Sequence, residues 1–454
     1  MQRCRYLPVA LAGLCLAPQA QATNVFRFEG YGPVSRAMGG TAAAHDVGNA
    51  ALMANPATLG LSAEGGRFEL GLDLVVTDIE ADNLATGERA RSSRKDLASA
   101  YYAPQLSYVH RAGALTWGAG VFAGAGLGTE YGSRSFLSRT PDGSATGLEN
   151  ASRLLVLEVP AGVSYAVSDR LEVGASVEAV WAGINLELLL GADQAGALIG
   201  QNRARGSLVP VLGGIPGLQG AHFSLSDSDD VRSGVDAWGW GGRLGATFRA
   251  SERTRIGAYY TLKTRLEDLK GRARLTAVSS VAGQIPLTGN IRIIDFQLPD
   301  ALTIGVAHQA TERLLLAADL SRVRWKEAMK DIKVRYESDG GGDLDIRLPQ
   351  DYRDINVLNL GAAYRIGRWT LRAGASFAGQ AIPDDRLFAV VPATPTKHAS
   401  VGFSYDLGKS GSVNVAYSHA FRETMTNRQL PNTSAPIRVE HAQDNLVVNY
   451  SYRF

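Results

Sequence analysis

Asn445-Leu446-Val447-Val448-Asn449-Tyr450-Ser451-Tyr452-Arg453-Phe454 ends the chain with a period of two. Leu446, Val448, Tyr450, Tyr452 and Phe454 alternate with Val447, Asn449, Ser451 and Arg453. Successive side chains of a strand point to opposite faces, so one face here is greasy and the other mostly polar. The pattern recurs upstream. Phe68, Leu70, Leu72, Leu74 and Val76 carry it first, then Leu115 to Val121, Leu155 to Tyr165 and Leu171 to Trp181. Trp238 to Phe248, Leu302 to Val306, Leu358 to Ile366, Leu371 to Phe377, Val401 to Leu407 and Val413 to Phe421 follow. Each predicts a strand.

A soluble sandwich also alternates, so the solvent has to be read from other features. The segments run about ten residues, the length a tilted strand needs to cross a bilayer. Trp and Tyr sit near many strand ends, where interfacial girdles belong. The alternate faces carry Gly, Ala, Ser and Asn, which suit a lumen better than a packed core. About fourteen strands are expected, an even number as such barrels require. The fold class is therefore all-β, a 14-stranded antiparallel transmembrane barrel spanning residues 66 to 454. The terminal aromatics Tyr450, Tyr452 and Phe454 resemble the assembly signal of bacterial outer-membrane barrels. That resemblance implies the barrel-assembly machinery as a partner, and outer-membrane lipids and lipopolysaccharide as surroundings.

Composition agrees. The 454 residues are 45% hydrophobic and 20% charged, with 51 glycines, which excludes a disordered chain. Past Ala17 nothing approaches the ~20 apolar residues of a spanning helix. Residues 1 to 22 read as a secretory signal. Arg3 and Arg5 precede the apolar stretch Leu7 to Leu16, and Ala20-Gln21-Ala22 forms a small-x-small cleavage site. The mature chain then begins at Thr23. Leu14 before Cys15 is too large for lipoprotein processing, and Cys4 and Cys15 both leave with the signal. Losing Arg3 and Arg5 from 46 basic residues leaves 44 against 44 acidic ones, which argues against a nucleic-acid partner.

Two regions are not strand-like. Residues 24 to 65 carry helix and turn signals around Arg36 to Ala44 and Asn55 to Leu59. Forty residues ahead of a barrel form either a periplasmic tail or an interior plug, here assigned to 23 to 65. Residues 186 to 234 form the longest interruption, opening with Leu186, Leu188, Leu189 and Leu190, then Ala197, Leu198 and Ile199. That run reads as an amphipathic or simply apolar helix, and on an external loop it needs something greasy to contact.

No catalytic constellation stands. Gly408-Lys409-Ser410 lacks the leading glycine of a phosphate loop, Phe403 standing in its place. Adjacent residues Ser418 and His419 on a strand point to opposite faces and cannot form a nucleophile–base pair. The seven histidines show no metal-binding spacing. Asp227, Asp229 and Asp230 read as a solvated loop tip before a cation site. No enzyme activity, cofactor or metal is expected.

In order along the chain come Ser35-Arg36-Ala37-Met38-Gly39-Gly40, Asn55-Pro56-Ala57, Gly126-Leu127-Gly128-Thr129-Glu130-Tyr131 and Trp238-Gly239-Trp240-Gly241. Leu298-Pro299, Ala381-Ile382-Pro383 and the terminal Phe454 complete the series. Together they resemble the FadL/TodX family of outer-membrane transporters for long-chain fatty acids and other hydrophobic compounds. The resemblance implies a 14-stranded barrel with an N-terminal hatch in its lumen, with Asn55-Pro56-Ala57 as the hatch motif. It implies that Phe26 and Phe28, near the extreme N-terminus, approach the ligand. It also implies an inward kink of the strand holding Gly118, Gly120, Gly124, Gly126 and Gly128, opening a lateral gap. Glycines there also suit a wall that leaves room for the hatch. Fatty-acid members carry basic residues where this chain reads Ala182-Gly183-Ile184-Asn185-Leu186, so Lys330 or Lys333 would have to hold a carboxylate.

The function expected is passive, ligand-gated uptake of hydrophobic molecules by a monomer in the outer membrane of a Gram-negative bacterium. Long-chain fatty acids come first, and neutral or aromatic hydrocarbons are the alternative. The rival class is a general aqueous porin. Capture falls to Leu188, Leu189, Leu190, Leu198 and Ile199, which would line an external groove or else pack the loop against itself.

Overall fold

The computed structural model describes residues 25–93, 99–225, 234–408 and 411–454. The signal peptide, Asp227, Asp229, Asp230, Lys409 and Ser410 lie outside the described residues.

The first half of the wall comprises β1 (Gly65–Asn83), β2 (Tyr101–Ala112), β3 (Leu115–Glu130), β4 (Ala151–Ala166), β5 (Leu171–Gly191), β6 (Val235–Arg249) and β7 (Thr254–Thr261). The second half is β8 (Ala301–Gln309), β9 (Leu314–Val323), β10 (Ile355–Ile366), β11 (Trp369–Ala378), β12 (Lys397–Asp406), β13 (Ser412–Asn427) and β14 (Ile437–Arg453). These fourteen strands pair antiparallel, each with the next. The ring closes where β14 returns to β1, from Arg67↔Arg453 to Asn83↔Ile437. Turns such as those at Gly113 and Gly367, both with positive φ, keep one end short. At the other end the long connectors carry further strands, among them Leu218–Ser224, Leu269–Ser279, Gly283–Ile294, Asp331–Ser338 and Asp343–Pro349. Short turns mark the periplasmic end and long connectors the external end.

Burial along the strands is inside-out relative to a water-soluble protein. On β6, Trp238 is 58% exposed while Arg243 is 1% exposed. Leu70, Trp117, Val177, Ile304, Leu371 and Val448 face outward, whereas Asp73, Ser107, Glu178, Asp319, Asn359 and Asn449 are buried. Only a hydrocarbon surround makes that pattern stable, and a closed ring leaves no backbone edge unpaired in it. Phe454 finishes the outer face. Its N–H donates to Gly66 O at 3.0 Å, the Gly66 N–H donates to its C=O at 2.8 Å, and its ring stacks on Tyr108. Tyr452 lies beside it at 5.7 Å between centroids. Deleting Phe454 removes two backbone hydrogen bonds of ~1 kcal/mol each together with the outermost ring. The folded, heat-modifiable fraction in membranes should fall severalfold, read by gel mobility before and after boiling.

The N-terminal segment lies inside the ring. Asn49 Nδ2 donates to Arg67 O on β1 at 3.1 Å and to Ser107 O on β2 at 3.3 Å. Tyr31 reaches Gly124 O on β3, and Ser164 on β4 and Ser176 on β5 donate to Ala57 O and Leu52 O. Asp319 on β9 accepts from the Ala42 and Ala43 N–H groups at 2.7 and 2.9 Å. Ser400 on β12 accepts from Gly39, and Ser418 on β13 bonds Glu29. Contacts around the whole circumference are available only from within. Arg36 anchors the segment, bonding Asp73 at 2.7 Å and Glu29 at 3.4 Å, all three buried. Asn55-Pro56-Ala57 begins a 3-10 turn, Pro56–Leu61. It rests on two glycines paired across the wall, Gly174 and Gly245. A Cβ at Gly245 would stand 1.9 Å from Asn55 Oδ1, and one at Gly174 2.4 Å from Ala57 N. The close approach is what those glycines permit.

One local expectation is corrected. Leu186 to Leu190 are not helical but extend β5, pairing with Leu218–Ser224 through Leu188↔Phe223. A short apolar run carries no period, and here a partner strand decides it. The helix begins at Ala192 and ends at Gly200. Upstream, the helix and turn signals around Arg36 to Ala44 fall on the end of a helix that starts earlier, Gly32–Ala37, opened by Pro33, and on the turn that follows it.

Candidate functional site

β3 leaves its neighbour. Its pairing with β2 stops at Leu106↔Val121, while Tyr101 to Gln105 of β2 pair only with β1. On the other side, the register with β4 shifts between Ala123 and Ala125. The backbone groups so freed are satisfied from inside. The Gly126 N–H donates to Phe26 O at 2.8 Å, and Arg27 bridges Ala125 in antiparallel fashion.

Behind this gap is a cavity of about 340 Å³. Val25 to Glu29 form its inner side, Ala125 to Gly128 and Leu154 its wall, and Tyr101 to Ala103 its flank. Val75, Ile79, Pro392 and Ala393 add further apolar surface. Phe26 is buried in an aromatic cluster, edge-on to Trp325 at 5.4 Å, with Phe296 and Tyr352 at 6.5 and 6.4 Å. Phe28 lines the same cavity, its ring beneath the Arg36 guanidinium at 4.7 Å. Of the five glycines, Gly118 and Gly120 remain in the β2–β3 ladder and Gly124 sits at the register shift. Gly126 and Gly128 line the cavity. The nearest atoms a Cβ would meet at the five belong to the wall itself, Glu158 at Gly124 and Tyr101 at Gly128, and none to the N-terminal segment.

A second cavity, about 360 Å³, opens at the external rim. Leu188 and Leu189 line it with Phe136, Leu137, Phe388 and Val390. Leu190 and Leu198 instead pack into the buried core, 3% and 1% exposed, and Ile199 points to the outside. Two of these five residues therefore line this cavity. One connector serves both spaces, since Phe388 to Val390 line the upper cavity and Pro392 and Ala393 the lower. Thr129 Oγ1 and Tyr131 OH hold it by donating to Val390 O and Ala389 O.

The cations are not where the sequence points. Lys330 is exposed, and Lys333 pairs with Asp295 at 3.6 Å; neither lines either cavity. Arg27 does line the lower one, and Nε and Nη2 of its guanidinium are buried without a hydrogen-bond partner. It also borders a polar cavity of about 70 Å³ on the far side of the N-terminal segment. Sequence reading passes over Arg27 although it stands between Phe26 and Phe28. It also misses Phe296, Trp325 and Tyr352, which no local motif marks. Ser418 and His419 face different partners, Glu29 and Asp444. Among the described residues no cluster of His, Cys, Asp and Glu has the arrangement of a metal site.

Known proteins match this geometry. The family described as "Outer membrane protein transport protein (OMPP1/FadL/TodX)" matches residues 12–454. The chain is similar to the Pseudomonas putida toluene transporter TodX, at 44% identity and a TM-score of 0.84, covering 95% of this chain and 100% of that one. It is 46% identical to the Ralstonia pickettii toluene transporter TbuX, with a TM-score of 0.80 and coverage of 94% and 99%. Outer membrane protein P1 of Haemophilus influenzae is 27% identical over 350 residues, 73% of this chain and 72% of that protein.

Proposed function

This chain belongs to the OMPP1/FadL/TodX family of outer-membrane transport proteins, and we propose that its cargo is small neutral aromatic hydrocarbons, taken up passively. The observation that carries this reading is the lower cavity at the break between β2 and β3. An apolar cavity of about 150 Å³ already holds benzene, so one of about 340 Å³ suits an alkylbenzene. The solved relatives TodX and TbuX are described as toluene transporters, which supports the same cargo class. In this reading the solute is captured in the rim cavity by apolar burial, at ~25 cal/mol per Å². It passes along Phe388 to Ala393 into the lower cavity and leaves sideways through the gap. Hydrophobic cargo gains nothing from release into periplasmic water, and a lateral exit delivers it to lipid. The N-terminal segment acts as a plug against water and ions.

One observation favours a second cargo. The Arg27 guanidinium, with two buried nitrogens free of hydrogen bonds, suits a carboxylate, which would return long-chain fatty acids to first place. The two readings separate on Arg27→Met. With a neutral aromatic cargo, initial uptake of labelled toluene by intact cells should be unchanged within about twofold. With a carboxylate cargo, fatty-acid binding by the purified barrel should weaken roughly tenfold or more, the loss of a charge-assisted hydrogen bond. Toluene uptake no faster than in cells lacking the protein would sink the main reading.

Capture is tested at the rim. Leu188→Asp combined with Leu189→Asp puts charge in the upper cavity and should slow toluene uptake ~5-fold or more. Heat-modifiable assembly should stay intact.

A further inference from the structure

Across the outer face of the external sheet, one register row reads Asp236, Lys270, Arg292, Arg335, Asp345. Lys270 stands opposite Asp236 and Arg292, Arg292 opposite Arg335, and Arg335 opposite Asp345. Neighbouring strands are ~4.8 Å apart, so three cations fall within ~10 Å of one another. Like charges directly opposite on a sheet are destabilising, yet here they occur twice in succession. Internal partners do not compensate them all. Arg335 is shared by Glu337 at 2.9 Å and Asp345 at 3.7 Å. Asp236 accepts from Trp181 Nε1 at 2.8 Å. Arg272, beside the row, is held by Asp339. Among the described residues the side chains of Lys270 and Arg292 make no ion pair or hydrogen bond, and both residues are exposed. Lys270, Arg272, Arg292 and Arg335 border one shallow depression of about 400 Å³.

Position adds the second argument. Trp238 and Trp240 face outward on β6, and Arg265 stacks over Trp240 at 5.0 Å, marking the external interface. Asp236 lies two residues beyond Trp238, and Lys270 is its partner across the sheet. Asp236 and, across from it, Lys270 therefore lie up to ~7 Å outside the aromatic girdle. That is the level of phosphate groups on the lipid of the outer leaflet.

We propose that Lys270, Arg292 and Arg335 form a binding site for the phosphate groups of lipopolysaccharide. A phosphate lying across adjacent strands offsets the repulsion within the row and accepts hydrogen bonds from both exposed cations. The site fixes an annular glycolipid against the external sheet and is independent of the cargo.

Nanodiscs of phosphatidylcholine doped with bis-phosphorylated lipid A, or with its dephosphorylated form, test this by native mass spectrometry. Inorganic phosphate alone is the third probe. The wild type should retain the bis-phosphorylated lipid and discriminate against the other. Lys270→Ala with Arg292→Ala should weaken retention about 30-fold, at roughly fivefold per removed cation near an anionic surface. Arg272→Ala, which removes a guanidinium already held by Asp339, should change it less than twofold. Equal retention by wild type and double variant would overturn the site. So would inorganic phosphate that displaces the lipid, since that makes it a free-anion site. Toluene binding should be the same in the double variant, so failure here leaves the cargo reading standing.

Discussion

Deletion of residues 25–62 should convert a nearly silent protein into a conducting pore. The ring of fourteen strands does not depend on that segment for its ladders, which run strand to strand and close through seventeen register pairs from Arg67↔Arg453 to Asn83↔Ile437. A barrel of this size encloses a lumen wider than its own side chains fill, so conductance in planar bilayers should rise ~10-fold or more. The lumen left behind is lined by Asp73, Glu158, Glu178, Arg243, Asp319 and Asn359, all buried in the intact protein. Those groups lose Arg36 and the Ala42 and Ala43 N–H donors but gain water, so the empty barrel hydrates rather than collapses. Equal conductance with and without the segment would refute the plug.

Gly126→Trp should reduce hydrocarbon uptake ~10-fold or more, because a filled apolar pocket has nothing left to bind the cargo. The substitution asks the backbone for a shift of only a few tenths of an ångström, since its Cβ would meet Leu154 O at 3.3 Å and nothing else within 4 Å. The indole then projects where Gly126 borders the lower cavity. Gly124→Trp is the contrasting case. Its Cβ would fall 2.2 Å from the Glu158 carboxylate, beside the buried Arg243–Glu158 pair, so it should impair folding as well as transport. Unchanged uptake in an assembled Gly126→Trp barrel would remove the lower cavity and its gap from the route.

The wall was legible because its physics repeats. Most outward Leu, Val and Trp residues are followed by a small or polar neighbour, and that alternation survives in Val448 to Phe454 without any knowledge of partners. The external strands were harder. Leu186 to Leu190 read as a helix because a short apolar run looks alike in both states, and only pairing with Leu218–Ser224 decides between them. The site was half legible. Phe26 was implied by the family resemblance and Gly126 by the crowding of glycines on one strand, and both line the lower cavity, but Trp325 and Tyr352 reach Phe26 from about three hundred residues away. Lys330 and Lys333 drew attention as charges on a late strand. The cation that does border the cavity, Arg27, sits among apolar neighbours whose pattern draws the eye away from it.

The bond from Gly39 to Ser400 spans 361 residues of sequence, and that from Glu29 to Ser418 spans 389. Such separations make folding slow, because the chain must close very large loops before any native contact rewards them. The first-made residues of the described chain therefore complete their contacts only when strands made near its end are in place. Until β12 and β13 arrive, residues 25–62 can dock only in part, on β1 to β5 and β9, and must wait for the rest. Their composition fits that wait. Gly, Ala, Ser, Thr and Asn dominate over long aliphatics between Gly30 and Ala51, so the segment has little to aggregate with while the ring assembles around it. The segment's partners are thus made both early and late, and a sequence poor in grease suits residues that wait for the last of them.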